Sequence, residues 1–445
     1  MSLREVYTEG ALASVEYKAD KNTKKAAAEA ISVKSFVHGK LLEQMDLALL
    51  EKLSGNELKS HLKLGVEKIV REDNMLINEY DLARLVSDIQ NEVIGLGPLE
   101  PLMADPTVSD ILINNARSVY VERRGRLERT NTVFDNDDHL LKIIEKIVTR
   151  VGRRIDESSP LVDARLPDGS RVNAIIPPLA LDGPSMSIRR FSEIPFGMAD
   201  LIRNGSLTEQ MALFLAGIVK AKTNLIISGG TGSGKTTLLN ILSGYIPDHE
   251  RIITIEDAAE LRLQQPHVVR LETRPANIEG KGEIDQRLLV KNSLRMRPDR
   301  VVIGEIRGIE VLDMLQAMNT GHEGSMSTCH ANTARDALVR LENMVGMAGL
   351  QVVQKSLRQQ IASAISIVVQ ASRLSDGKRK IMSISEVIGM EGDVITMQDI
   401  FTFKQTGVGM DGAVVGKMAP TGIRPRIADK LSAHGVNLPD KIFEP

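Results

Sequence analysis

One cysteine, Cys329, and no tryptophan occur in the 445 residues, and aromatic side chains make up only 3%. A lone thiol excludes an internal disulfide and any zinc module built on cysteine pairs, so Cys329 is expected to pack as a small apolar residue in a reducing compartment. The scarcity of aromatic rings argues against a base-stacking surface for single-stranded nucleic acid. Neither sign of charge dominates, because 56 basic residues face 58 acidic ones, and no global basic excess speaks for a nucleic-acid partner. A run of about 18 apolar residues is also missing. The richest stretch, Met211 to Val219, is followed by Lys220 and Lys222, and Met1-Ser-Leu-Arg-Glu5 has no apolar signal core. The expectation is a cytoplasmic protein that does not cross a membrane. A hydrophobic content of 42% beside 26% charged residues is that of a folded globular chain, and this length suggests about three domains.

Residues 1–35 are rich in Ala, Lys, Glu and Ser with little helical-period apolar content, which predicts a mobile tail. Between 36 and 75, Leu41, Leu42, Met45, Leu49 and Leu53, then Leu58, Leu62, Val66, Ile69 and Val70, recur at helical spacing and predict a small helical module. Residues 76–190 read as an α+β domain. Asn78 is placed to cap a helix, Ser118-Val-Tyr-Val-Glu122 reads as an antiparallel strand, and Pro167-Asp-Gly169 reads as a hairpin turn. The stretch 191–198, with Pro195 and Gly197, reads as a linker. From 199 to 445, Ser206-Leu-Thr-Glu209 gives a capping-box pattern, after which short apolar strands alternate with helical stretches, the pattern of a parallel sheet covered by helices.

The stretch with the most chemical content is Thr223-Asn-Leu-Ile-Ile-Ser-Gly-Gly-Thr-Gly-Ser-Gly-Lys-Thr-Thr237. Gly229, Gly234, Lys235 and Thr236 fit G-x-x-x-x-G-K-[ST] after an apolar strand, which is a phosphate-binding loop. Gly229, Gly230, Thr231, Gly232, Ser233, Gly234, Lys235, Thr236 and Thr237 are therefore the expected ATP-binding residues. Backbone N–H groups and a helix N-terminus would cradle the phosphates, Lys235 would reach the β- and γ-phosphates, and the Thr236 hydroxyl would hold Mg²⁺. Two apolar strands end in acids: Val301-Val-Ile-Gly-Glu305 and Ile252-Ile-Thr-Ile-Glu-Asp257. Gly304 stands where an Asp is usual, so Glu305 is read as the residue that positions and deprotonates the attacking water, with Glu256 as a second candidate. His322 and His330 lie eight residues apart among small residues without zinc-like spacing, and a hydrogen-bonding role at the nucleotide is expected of both.

Four of these stretches together resemble the motif set of the type II/type IV secretion and pilus-motor ATPase superfamily. They are the phosphate loop, the acidic box Ile255-Glu-Asp-Ala-Ala-Glu260, the segment Leu294 to Arg307, and the histidine box Gly321 to Asn332. Gly95-Leu-Gly-Pro-Leu-Glu-Pro-Leu102, Leu271-Glu-Thr-Arg274, Leu315-Gln-Ala-Met-Asn-Thr320 and Thr421-Gly-Ile-Arg-Pro425 look most like the CpaF-type motor of tight-adherence (Tad/Flp) pili. The resemblance implies a RecA-like ATPase domain after a PAS-like α+β domain, a homo-hexameric ring, and ATP hydrolysis that drives pilus assembly, or retraction as in other motors of the family, through platform proteins at the inner face of the inner membrane. It further implies that Arg171 and Arg189 approach the γ-phosphate. The competing reading is a RecA-like nucleic-acid translocase or conjugative DNA-export ATPase, whose phosphate loop and sheet would look the same. A GTPase or small-molecule kinase is a third option, but no Asn-Lys-x-Asp guanine signature occurs.

Overall fold

Alternating apolar residues build the first of two sheets in the computed structural model, which describes residues 33–41, 43–44, 55–123, 125–190, 196–274, 276, 281–347, 349 and 353–445. Two units divide the chain, Met1–Phe191 and Ser192–Pro445.

In the first unit six strands, β1 (Val108–Asn115), β2 (Ser118–Arg123), β3 (Arg126–Arg129), β4 (Leu161–Arg165), β5 (Arg171–Ile175) and β6 (Ser185–Arg189), pair in the order β3-β2-β1-β6-β5-β4. All these pairings are antiparallel, and Ile111, Ile113, Val121, Val172, Ala174 and Ile188 face one core. The helix Asp137–Arg150 contributes Leu140, Ile144 and Ile147 to that core, and it starts where Asn136 accepts a hydrogen bond from the His139 N–H at 2.8 Å. A second, smaller core joins Val37 and Leu41 to Leu62, Val66 and Ile69 of the helix Gly55–Glu72 and to Leu85 and Ile89 of the helix Glu79–Val93. Asn78 caps the latter helix through the Asp81 N–H, as its position predicts. Residues 33–35 are helical and Lys34 pairs with Glu92, so the expected tail ends sooner than 35. Residues 1–32, Leu42, Met45, Leu49 and Leu53 lie outside the described residues, as do 191–195 of the expected linker.

In the second unit nine strands form one sheet in the order β15-β14-β13-β12-β7-β11-β10-β8-β9. They are β7 (Leu225–Gly229), β8 (Ile252–Glu256), β9 (Val268–Glu272), β10 (Arg300–Ile303), β11 (Met326–Cys329), β12 (Ile367–Arg373), β13 (Arg379–Glu391), β14 (Val394–Val408) and β15 (Val414–Pro420). From β12 to β9 the pairing is parallel; from β12 to β15 it is antiparallel. Every residue of β7, β8, β10 and β11 is buried, as expected of parallel strands covered on both faces. Leu225 and Ile227 pack on one face with Leu238, Leu239, Phe214 and Ile218. Ile226, Ile253, Ile255 and Ile303 pack on the other with Met314, Leu341 and Ile361. The three added antiparallel strands are not legible as strands, because polar residues, the buried Ser385 and Glu386 of β13 among them, break their apolar alternation. The helix Glu209–Lys220 is capped by Thr208, whose hydroxyl accepts from the Met211 N–H, and not by Ser206. No helix among the described residues is long and apolar enough to cross a membrane.

Candidate active site

The loop after β7 sits at the carboxyl edge of the parallel strands, with β11 and β12 on either side of β7, the edge at which open α/β sheets bind ligands. Gly234 is the residue before the helix Lys235–Ser243 and has φ 92°, a left-handed conformation that a side chain would strain. Within the loop the Ser233 hydroxyl donates to the Gly230 carbonyl at 2.8 Å. Lys235 Nζ donates to the same carbonyl at 3.1 Å and lies 3.3 and 3.5 Å from Nε2 and Nδ1 of His330. Gly230, Thr231 and Thr237 are exposed, while Gly232 and Thr236 are partly covered.

Glu305 reaches the same place from the end of β10, and His330 from the end of β11. His330 Nε2 is 2.8 Å from Glu305 Oε1. Arg307 donates to Glu305 Oε2 at 2.8 Å and to Asp257 Oδ2 at 3.2 Å. A connected chain therefore runs Lys235, His330, Glu305, Arg307, Asp257. Burial, with Lys235 and Arg307 nearby, holds the His330 pKa below the ordinary histidine value despite the attraction of Glu305. In the Nε2–H tautomer the ring donates to Glu305 Oε1 and leaves Nδ1, 3.5 Å from Lys235 Nζ, as an acceptor. Glu305 pushes the Arg307 pKa upward.

Glu256 ends β8 and is only 3% exposed. Its Oε2 accepts the N–H groups of Glu260 and Leu261 at 2.7 and 3.0 Å, which shapes the loop after the strand, while its buried Oε1 has no partner. Burial pushes its pKa up to about 7 against those two hydrogen bonds. A Cβ at Gly304 would stand 2.8 Å from Glu256 Cγ, so a side chain of residue 256 fills the place that an Asp at 304 would need. The missing Asp of the sequence thus has a packing cause.

The structure separates the two histidines that were expected to act together. His322 lies before β11, at the amino edge of the sheet, and its Nδ1 is 2.9 Å from the Pro298 carbonyl. The four-residue strand β11 stands between it and His330, so the eight-residue spacing spans the sheet. Arg171 and Arg189 belong to the first unit, where β5 and β6 set them directly opposite each other, and Arg189 Nε is 4.0 Å from Asp110 Oδ1. Cys329 is buried, and burial pushes its thiol up to about 11, as expected of a packing residue. No group of three His, Cys, Asp or Glu side chains able to hold a metal occurs among the described residues. A Mg²⁺ that enters with phosphates needs fewer protein ligands. The Thr236 hydroxyl, the partnerless Glu256 Oε1 and the carboxylate of Glu305 are oxygen donors of the kind such an ion takes. Sequence reasoning missed Arg379, whose Nε donates to the Gly232 carbonyl at 2.9 Å, and Gln370, whose amide donates to the carbonyls of Ala331 and Asn332. The basic residues around Asp376-Gly377 were the available signal for the first of these.

A phosphate loop at the carboxyl edge of a covered parallel sheet, with a carboxylate and a histidine delivered by the two adjacent strand ends, defines a RecA-like nucleotide-binding α/β core. The chain belongs to the type II/IV secretion system protein family, which it matches over residues 92–400. It is 37% identical over 312 residues to the putative conjugal transfer protein Rv3659c of Mycobacterium tuberculosis, covering 69% of this chain and 88% of that protein. It is 31% identical over 337 residues to the type IV secretion system protein VirB11 of Bartonella quintana, covering 66% and 94% respectively. Among solved structures, the VirB11 ATPase of the Brucella suis type IV secretion system, in complex with sulphate, is similar at 29% identity over 65% of this chain and 92% of that one, with a TM-score of 0.35. Membership in this family of secretion and pilus ATPases implies nucleotide binding.

Proposed function

We propose that the chain is a ring-forming ATPase that converts ATP hydrolysis into mechanical work at the inner face of the inner membrane, as the assembly motor of a Tad/Flp-type pilus. The observation that carries the reading is the contact of Lys235 with His330 and of His330 with Glu305, which joins a phosphate-binding cation to a candidate base at one loop. Lys235 and the loop N–H groups bind the phosphates, and Glu305 orients the attacking water and takes its proton. His330 holds the Glu305 carboxylate in place and registers whether Lys235 has a phosphate to face. Mg²⁺ on Thr236, when bound, would neutralise charge on the β- and γ-phosphate oxygens. In this reading residues 76–190 are the PAS-like domain, residues 199–445 are the ATPase domain, and Arg171 and Arg189 add positive charge near the γ-phosphate. The working assembly is a homo-hexamer that meets the membrane through pilus platform proteins.

A relative named for conjugal transfer favours a second reading, a DNA-export ATPase. One experiment separates the two: steady-state ATPase rate and particle size with ATP, with and without single- or double-stranded DNA. Hydrolysis by a six-fold ring, unchanged by DNA, is expected. Salt-sensitive stimulation by DNA selects the second reading, and a monomer without hydrolysis sinks both.

A further inference from the structure

The hairpin between β12 and β13 reads Arg373-Leu-Ser-Asp-Gly-Lys-Arg-Lys380, four bases to one acid. Its two arginines, Arg373 and Arg379, pair directly opposite each other across the antiparallel ladder. Both sit on the face of the sheet that carries the phosphate-loop helix, because they continue the positions of Ala371 and Ile381, which pack with Leu238 and Leu239. β12 runs parallel beside β7 with Ala371 opposite Gly229, so Arg373 lies just beyond the point where the loop begins. Arg379 donates Nε to the Gly232 carbonyl at 2.9 Å, and Arg373 Nη1 comes within 3.6 Å of where a Cβ of Gly232 would be. The hairpin is itself held firm. Asp376 accepts the N–H of Val414 from β15 and that of Lys378, and Leu374 pairs with Lys378 through the backbone.

The order of strands gives this pair a direction. Glu305 and His330 come from β10 and β11, on one side of β7; Arg373 and Arg379 come from β12 and β13, on the other. A nucleotide whose terminal phosphate faces Lys235, His330 and Glu305 must run its α-phosphate and ribose away from them, towards the arginine hairpin. We infer that Arg373 and Arg379 form the α-phosphate subsite of the nucleotide, so that they hold ATP and ADP alike and add nothing specific to the transition state. This rests on the ATPase reading above. Arginine suits the role because its planar fork binds phosphate oxygens in pairs while one nitrogen stays on the loop.

The test is equilibrium binding of a fluorescent ADP together with steady-state ATP hydrolysis for Arg373→Gln, the Arg373→Gln/Arg379→Gln double variant and the corresponding lysine variants. The double variant is expected to weaken ADP binding and raise KM by about tenfold or more, with kcat at saturation within about twofold of the parent. Lysine at both positions should recover a large part of the affinity. The single Arg373→Gln leaves the Arg379 contact to the loop intact, so it reports on the charge even if the double variant melts early, and a KM rise of about threefold or more is expected. ADP affinity within about twofold of the parent in Arg373→Gln and in a folded double variant, or a loss of kcat at unchanged KM, overturns the subsite. A parent protein that binds no ADP at all overturns the ATPase reading instead.

Discussion

The two ends of the same parallel strands are built on opposite principles. At the amino edge of the second unit, Arg300 is fully buried and every one of its side-chain nitrogens has an acceptor: Nε and Nη2 on Glu250 at 2.6 and 3.0 Å, Nη1 on the Val219 carbonyl at 2.7 Å. Asn224 nearby uses its whole amide, donating to Met318 and Ala364 and accepting from Gly324 and Ser325. At the carboxyl edge the polar groups are only partly satisfied. Glu256 Oε1 and Gln370 Oε1 are buried without partners. A buried polar group without a partner costs about 1–3 kcal/mol; the amino edge carries one in the Thr223 hydroxyl, and the carboxyl edge leaves the acceptor oxygens of Glu256 and Gln370 open. The difference teaches that the sheet is fixed from below and kept receptive above, since groups already fully bonded to one another would have nothing left for a ligand.

The largest effects should separate binding from turnover at the carboxyl edge. Glu305→Gln is expected to keep ATP binding and lower hydrolysis by about 10²–10⁴-fold, the range for removing a general base, whereas Lys235→Ala should lose ATP binding itself. Equal loss of binding and turnover in folded Glu305→Gln would erase the distinction.

At the amino edge the expected damage is to stability. Arg300→Met leaves the buried Glu250 with only Lys222, 3.6 Å away, and should cost about 3–5 kcal/mol in denaturant unfolding, with much of it recovered in Arg300→Met/Glu250→Leu. A melting curve for Arg300→Met that overlays the parent would show that the buried pair does not fasten this edge.

The third prediction uses acidity. Glu256 has its pKa raised from 4.5 to about 7, so the folded protein holds that proton more tightly than the unfolded chain does. Its contribution to stability is fully present below the unfolded value and is lost as pH rises through about 7, a swing of at most about 3 kcal/mol. Compared with Glu256→Gln, the parent should therefore lose melting temperature between about pH 5 and pH 8. Parallel pH profiles of the two proteins would contradict this.

The smallest effect belongs to the histidine that changed edges. His322→Asn should leave the ATPase rate within about threefold and cost about 1 kcal/mol of stability through the Pro298 contact. His330→Asn should lower the rate at least about tenfold. A reversed ranking would restore His322 to the site.

The sequence by itself determined the pieces that depend on neighbours along the chain. The glycine spacing before Lys235, the apolar strands ending in Glu256 and Glu305, and the Asn78 cap all follow from local backbone geometry, and each stands where its pattern predicts. Tertiary structure decided what depends on residues distant in sequence. Strand order brought His330 to Glu305, and the length of β11 carried His322 away from both. Packing between β8 and β10 made Gly304 necessary beside Glu256, and antiparallel addition of β13 to β12 brought Arg379 to a loop 147 residues earlier. The physical reason is that a hydrogen bond or a steric contact acts over a few ångströms in space, whereas a sequence pattern constrains only the turn or strand in which it is written.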